Sequence, residues 1–91
     1  MTVRYYLDPE TGLPHIYGHG VKEDEAEDIL RRPGEDRPGR DDSRVAVGQT
    51  RTGRYLRVIY VVDYDLSLFV ITAYDLSGNA LRAYRRRMRN K

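Results

Sequence analysis

The sequence of 91 residues has no cysteine, no tryptophan, a single phenylalanine, and no apolar run longer than the five residues from Val58 to Val62. Without cysteine there can be no disulfide framework, thiolate metal site or cysteine nucleophile, a composition compatible with a reducing compartment. Five apolar residues fall far short of the roughly 20 that cross a bilayer, and the first residues do not read as a signal-peptide pattern. The expectation is a soluble, cytoplasmic protein with no membrane association. A chain of this length forms one domain, residues 1–91, around one modest core.

Acid is missing from one end. Arg82, Arg85, Arg86, Arg87, Arg89 and Lys91 crowd the C-terminus with no carboxylate among them, whereas Glu23, Asp24, Glu25, Glu27 and Asp28 crowd an earlier segment. The net charge is only +2, so the asymmetry, not the total, points to an anionic partner at one end. Of 16 basic residues 14 are arginine, the residue suited to forked contacts with phosphate or carboxylate. An arginine-rich genome would produce the same bias.

What is present is organised around residues 45–75. Val45 to Thr50, Arg54 to Asp63 and Leu68 to Asp75 are rich in Val, Ile, Tyr and Thr and are joined by short turns, the signature of an antiparallel meander. The middle run is the longest and most apolar, which predicts a central strand buried on both faces. Arg51-Thr52-Gly53 fits a three-residue hairpin loop closed by glycine in the left-handed region. That loop sets Thr50 opposite Arg54, Gly48 opposite Leu56 and Ala46 opposite Val58. One face then carries Ala46, Gly48, Leu56, Val58, Tyr60 and Val62, where a helix can approach closely. The other carries Gln49, Tyr55 and Arg57 near the hairpin end, beside Val45, Val47, Ile59, Phe69 and Ile71. It is apolar enough to need partial cover from a helix or a partner chain.

Elsewhere, Val3 to Leu7 predicts a short edge strand followed by a turn at Asp8-Pro9-Glu10-Thr11-Gly12. His15 to Gly20 reads as a flexible lead-in to a helix over Val21 to Arg32, whose stripe is Val21, Ala26, Ile29 and Leu30 and which Pro33-Gly34 ends. Val21 is placed to staple onto Ala26, and Lys22 stands where a capping side chain is expected. Glu35 to Arg44 holds no apolar residue and reads as a mobile surface loop. Ser77 is the expected N-cap of a last helix from Gly78 to about Asn90, with Leu81, Tyr84 and Met88 as its apolar stripe. The expected fold is α+β: a three- to four-stranded antiparallel meander with an N-terminal acidic helix and a C-terminal arginine-rich helix.

Three groups of residues bear on chemistry. Arg51, Arg54 and Arg57 on the hairpin, with Arg82 and Arg85 on the last helix, are candidates for a phosphate-binding patch, and Tyr55 or Tyr84 for a base-stacking platform. The bland alternative is a solvated helix face with arginines paired to Asp63, Asp75 or the acidic helix. His15 and His19 have a spacing that binds metal on a helix, but Pro14 and Gly18 oppose a helix there and no third soft ligand exists, so no metal and no cofactor are implied. His19 alone reads as a capping or carbonyl-bonding residue or, alternatively, a general acid or base. The eight tyrosines mostly fit half-buried strand positions. No serine occupies a nucleophile elbow and no glycine-rich loop cradles phosphate.

The order of several strings resembles the BrnT family of toxins from bacterial toxin-antitoxin pairs, which have a small RelE-like ribonuclease fold. The strings are Asp8-Pro9 after a short aromatic strand, His19-Gly20-Val21 opening an acidic helix, Val45-Ala46-Val47-Gly48-Gln49-Thr50 with Gly53-Arg54 after it, and Val70-Ile71-Thr72-Ala73 leading to an arginine-rich tail. The resemblance spans about residues 5 to 87. It implies metal-independent RNA cleavage aided by basic residues, Arg54 standing at the family's basic position after the hairpin glycine, and an antitoxin that covers the active face. The chain departs from that pattern where the family has an arginine after its Ile-Ser/Thr-Ala string: here the residue is Tyr74. The link from Asp8 to His19, with Thr11-Gly12-Leu13-Pro14, is also less helical than the family's.

Three readings follow. In the first, a ribonuclease binds and stabilises the scissile phosphate with Arg54, Arg57 and Arg82 or Arg85, with His19 or Tyr84 moving protons. In the second, the basic face docks RNA, DNA or an acidic protein segment without chemistry. In the third, the half-apolar sheet face forms a homodimer.

Overall fold

The computed structural model describes residues 1–91. It contains strands β1 (Val3–Tyr5), β2 (Glu35–Pro38), β3 (Arg44–Gln49), β4 (Tyr55–Val62) and β5 (Leu68–Asp75), helices α1 (Glu23–Arg31) and α2 (Gly78–Arg89), and a 3-10 helix at His15–His19. The fold is α+β, as expected. The sheet, however, has five strands in the order β1-β5-β4-β3-β2, and it is mixed: β1 runs parallel to β5, while the other pairings are antiparallel.

The meander is β3-β4-β5, and its first hairpin has the expected register, Ala46 opposite Val58 and Gly48 opposite Leu56. Gly53, at φ +102°, closes the loop, and the Thr50 N–H donates to the Arg54 carbonyl at 2.8 Å. Between β4 and β5 a bulge at Ile59/Tyr60 shifts the pairing, so Arg57 lies opposite Tyr74. β4 is the central strand, but only its Leu56-Val58-Tyr60 side is buried. Tyr55, Arg57, Ile59 and Val61 on the other side are half-buried.

Glu35 to Pro38 is a strand, not the mobile loop its composition suggests. Its backbone pairs with β3, and its polar side chains are taken up by neighbours: the Tyr60 hydroxyl and Arg44 Nε both donate to Asp36, and Arg87 donates two bonds to Glu35. A charged edge strand carrying a proline is also a strand that resists pairing with another chain. His15 to His19 likewise forms one 3-10 turn rather than a flexible lead. Ile16 anchors it in the core at 1 % exposure, and Gly20 ends it at φ +72°.

Two cores flank the sheet. On one face Ile16, Val21, Ala26 and Ile29 pack over Ala46, Leu56, Val58, Val70 and Ala73. Each buried Leu, Ile or Val contributes about 1.5–3 kcal/mol there. Gly48 permits this approach: a Cβ on it would stand 3.2 Å from the Gly34 nitrogen and 3.5 Å from Ile29 Cδ1. On the opposite face α2 lays Tyr84 and the half-buried Leu81 and Met88 against Val47, Leu76, Val45 and Tyr55. α1 begins at Lys22, whose N–H donates to the Glu25 carboxylate at 3.0 Å, so the cap comes from an acid inside the first turn. Ser77 occupies the N-cap of α2 but its hydroxyl makes no capping bond.

Candidate nucleic-acid interface

The five arginines expected to share one patch fall into two groups. Arg51 and Arg54 belong to the α1 side. Arg51 Nε lies 3.1 Å from Asp28. Arg54 is more fully held: Nε donates to Asp75 at 2.9 Å, and one terminal nitrogen donates to Glu25 at 2.9 Å and to the Gly20 carbonyl at 2.7 Å. The Asp75 and Glu25 carboxylates raise the Arg54 pKa further. A guanidinium with two carboxylates and a carbonyl has little capacity left for a phosphate.

Arg57, three residues on, projects from the opposite face of β4, where α2 packs. Its guanidinium carbon sits 6.0 Å from the centre of the Tyr74 ring, and its Nε is buried without a protein acceptor. Tyr74 meets the exposed His19 edge-on at 5.9 Å between ring centres, His19 meets His15 at 5.2 Å, and His15 meets Tyr6 at 6.0 Å. The 3-10 turn creates this string, because it brings both imidazoles to the free end of β5. The histidines thus approach each other by a route other than an α-helix. No group of three or more His, Asp or Glu side chains is arranged to hold a metal ion.

α2 supplies the second part of the surface. Arg82, Arg85, Arg86 and Arg89 are exposed and none has a carboxylate partner. Arg82 bonds Asn79, and the Arg85 guanidinium carbon lies 5.8 Å from the Tyr55 ring centre. Tyr55 in turn meets Tyr84 edge-on at 6.2 Å. Tyr84 itself is 5 % exposed, and burial together with the nearby Glu35 carboxylate pushes its hydroxyl pKa up. That placement suits a packing residue better than a proton donor or acceptor.

Sequence reasoning passed over Tyr74 as a site residue, having read it only as a missing arginine. The register that sets it opposite Arg57 depends on the bulge, which has no sequence signal. Arg37 and Arg87 were also missed, since one falls in the supposed loop and the other in an undifferentiated arginine run. Each contacts Glu35, Arg87 at 2.6 and 2.8 Å and Arg37 at 3.4 Å. Arg87 holds the Glu35 pKa below the usual carboxylate range.

The surface carries unpaired cations on α2, a ring at Tyr55 against Arg85, and two adjacent imidazoles beside Tyr74, the kinds of group that contact phosphates and stack on bases. No helix is long and apolar enough to cross a membrane. No family model, curated protein or solved structure matches the chain.

Proposed function

We propose that this protein binds single-stranded RNA through α2 and the Tyr55-Arg57-Tyr74-His19 margin of the sheet, as a toxin-like member of a toxin-antitoxin pair. The observation that carries the reading is the set of four α2 arginines without acids, one of which, Arg85, lies against the half-buried Tyr55 ring. Like charges at spacings of three and four destabilise an isolated helix, so an uncompensated cluster of this kind favours an anionic ligand. In the BrnT resemblance the site also cleaves RNA. The family's arginine is replaced here by Tyr74, and Arg57 on the neighbouring strand brings a cation over that ring. His19 is then the residue for proton transfer, Arg57 the one for the developing phosphate charge, and Arg54 a structural tie.

Fluorescence anisotropy with labelled single-stranded and hairpin RNA tests the binding. If four phosphates are neutralised, affinity for the single strand falls about fifty-fold between 50 and 200 mM salt. Replacing Arg82, Arg85, Arg86 and Arg89 with glutamine removes that dependence. Binding that ignores salt, or that survives the quadruple replacement, overturns the RNA reading. Cleavage is tested separately, by incubating RNA with the protein in a chelator and by asking whether expression arrests growth. Intact RNA and normal growth leave a binding module without chemistry.

A second reading concerns the part of the sheet that α2 leaves uncovered. Ile59, Val61, Phe69 and Ile71 are half-buried there, and Val62, Tyr64 and Leu66 nearby are exposed. A second copy or an antitoxin would bury them, and light scattering distinguishes a dimer from a monomer.

A further inference from the structure

Between α2 and the sheet lies a recess of about 110 Å³ bordered by Arg37, Arg57 and Arg87 and by Val47, Leu76 and Tyr84. Three arginines line it, yet only one carboxylate serves them: Glu35, which bonds Arg87 twice and approaches Arg37 at 3.4 Å. Arg57 has none. Its Nε is the single buried side-chain nitrogen or oxygen in the molecule with no protein partner. An unpaired buried donor costs free energy comparable to a lost hydrogen bond, and an acceptor held in the recess that Arg57 lines would relieve that cost. The volume accommodates several waters or one tetrahedral oxyanion, and is too small for a nucleoside.

We propose that this recess is an oxyanion site that takes one phosphate group, anchored by the Arg57 guanidinium and flanked by Arg37 and Arg87. Arginine presents parallel N–H donors whose fork matches two oxygens of such a group, and the apolar wall of Val47 and Leu76 strengthens each contact by excluding water. The ligand is inorganic phosphate or the phosphomonoester end of a nucleic acid, the phosphate groups that offer the most charge and the most free oxygens to Arg37, Arg57 and Arg87. The site shares Arg57 with the proposed RNA margin and in that respect rests on it, but it goes beyond the α2 face: Arg82, Arg85, Arg86 and Arg89 line no part of it.

The test is isothermal titration of the full chain with inorganic phosphate at constant ionic strength, alongside thermal unfolding. The expected result is one bound phosphate per chain and a midpoint raised by at least about 4 °C when phosphate exceeds its Kd tenfold, with chloride giving neither. Arg57→Gln weakens phosphate binding at least about tenfold, while Arg57→Lys retains part of it and Arg40→Gln, in an exposed segment outside the recess, leaves it unchanged. Because loss of Arg57 can disturb folding, Glu35→Gln gives the opposite signal: with the competing carboxylate gone, phosphate binds more tightly. A nucleoside 5′-monophosphate that binds at least as well as phosphate, where the nucleoside does not bind, identifies a phosphomonoester; phosphate binding alone identifies the free ion. No saturable phosphate binding to the wild type, full binding by Arg57→Gln, or unchanged or weaker binding by Glu35→Gln overturns the site. RNA binding by a chain that ignores phosphate would sink this proposal and leave the RNA reading intact.

Discussion

The Tyr84 hydroxyl occupies the space where Gly34 lacks a side chain: a Cβ on Gly34 would stand 1.8 Å from that oxygen and 2.8 Å from the ring carbon bearing it. Gly34 follows α1 and Tyr84 lies in α2, so this one contact fixes how closely the last helix approaches the segment leading into β2.

Gly34→Ala therefore forces Tyr84 out of its seat and destabilises the fold by about 1–3 kcal/mol, the usual cost of overpacking. Tyr84→Phe removes the clashing oxygen. In a double-mutant cycle followed by urea unfolding, the two changes together cost less than their sum, and additivity would show that the contact carries no energy.

The acid side of the stability profile depends on Glu35. Its folded pKa is lowered first by the hydrogen bond from Arg87, so its contribution is fully present above the unfolded carboxylate value and is lost as pH falls through the folded one. Glu35→Gln removes that part of the pH dependence. Thermal midpoints measured from pH 7 down to pH 3 become flatter in the variant than in the wild type.

On the alkaline side Tyr5 and Tyr60 both contribute, each with its pKa raised first by burial; Tyr60 is the one whose loss falls within reach of a titration. Burial first, then its bond to Asp36, pushes its pKa up to about 12. A raised pKa in an acid that is neutral when protonated means that the stabilisation is intact below the unfolded value near 10 and disappears as pH rises through 12. Ultraviolet titration should show phenolate formation coupled to unfolding, with Tyr60→Phe losing one phenolate from the late step while Tyr5, raised further by burial and its bond to Glu27, keeps its own.

Arg54 is a structural residue by its contacts, despite its position after the hairpin glycine. Arg54→Gln breaks the link between α1, Gly20 and the end of β5 and costs about 1–2 kcal/mol. RNA affinity and its salt slope remain as in the wild type at temperatures where both proteins are folded. A large loss of affinity in folded Arg54→Gln would return this residue to the RNA face.

The meander was legible because hydrophobic alternation and a glycine-closed loop leave one workable register for Ala46 against Val58. Both helices were legible from their apolar stripes. β2 was not, because Glu35-Asp36-Arg37-Pro38 forms a strand through its backbone and through partners supplied by Tyr60, Arg44 and Arg87, none of which leaves a periodic trace. Gly34 looked like a helix stop, but its reason is Tyr84, about 50 residues later. At the candidate interface the arginines could be counted but not sorted. Which of them meets a carboxylate is decided by strand parity, and parity separates Arg54, facing Glu25, from Arg57, facing α2. The pairing of Arg57 with Tyr74 was hidden by the bulge.

The parallel pairing of β1 with β5 sets a schedule for biosynthesis. Val3 aligns with Leu68, so the first strand of this sheet to leave the ribosome waits for the last one before its backbone finds a partner. The hairpins assemble first from neighbours in the chain, and β1 closes the sheet only after β5 has been made.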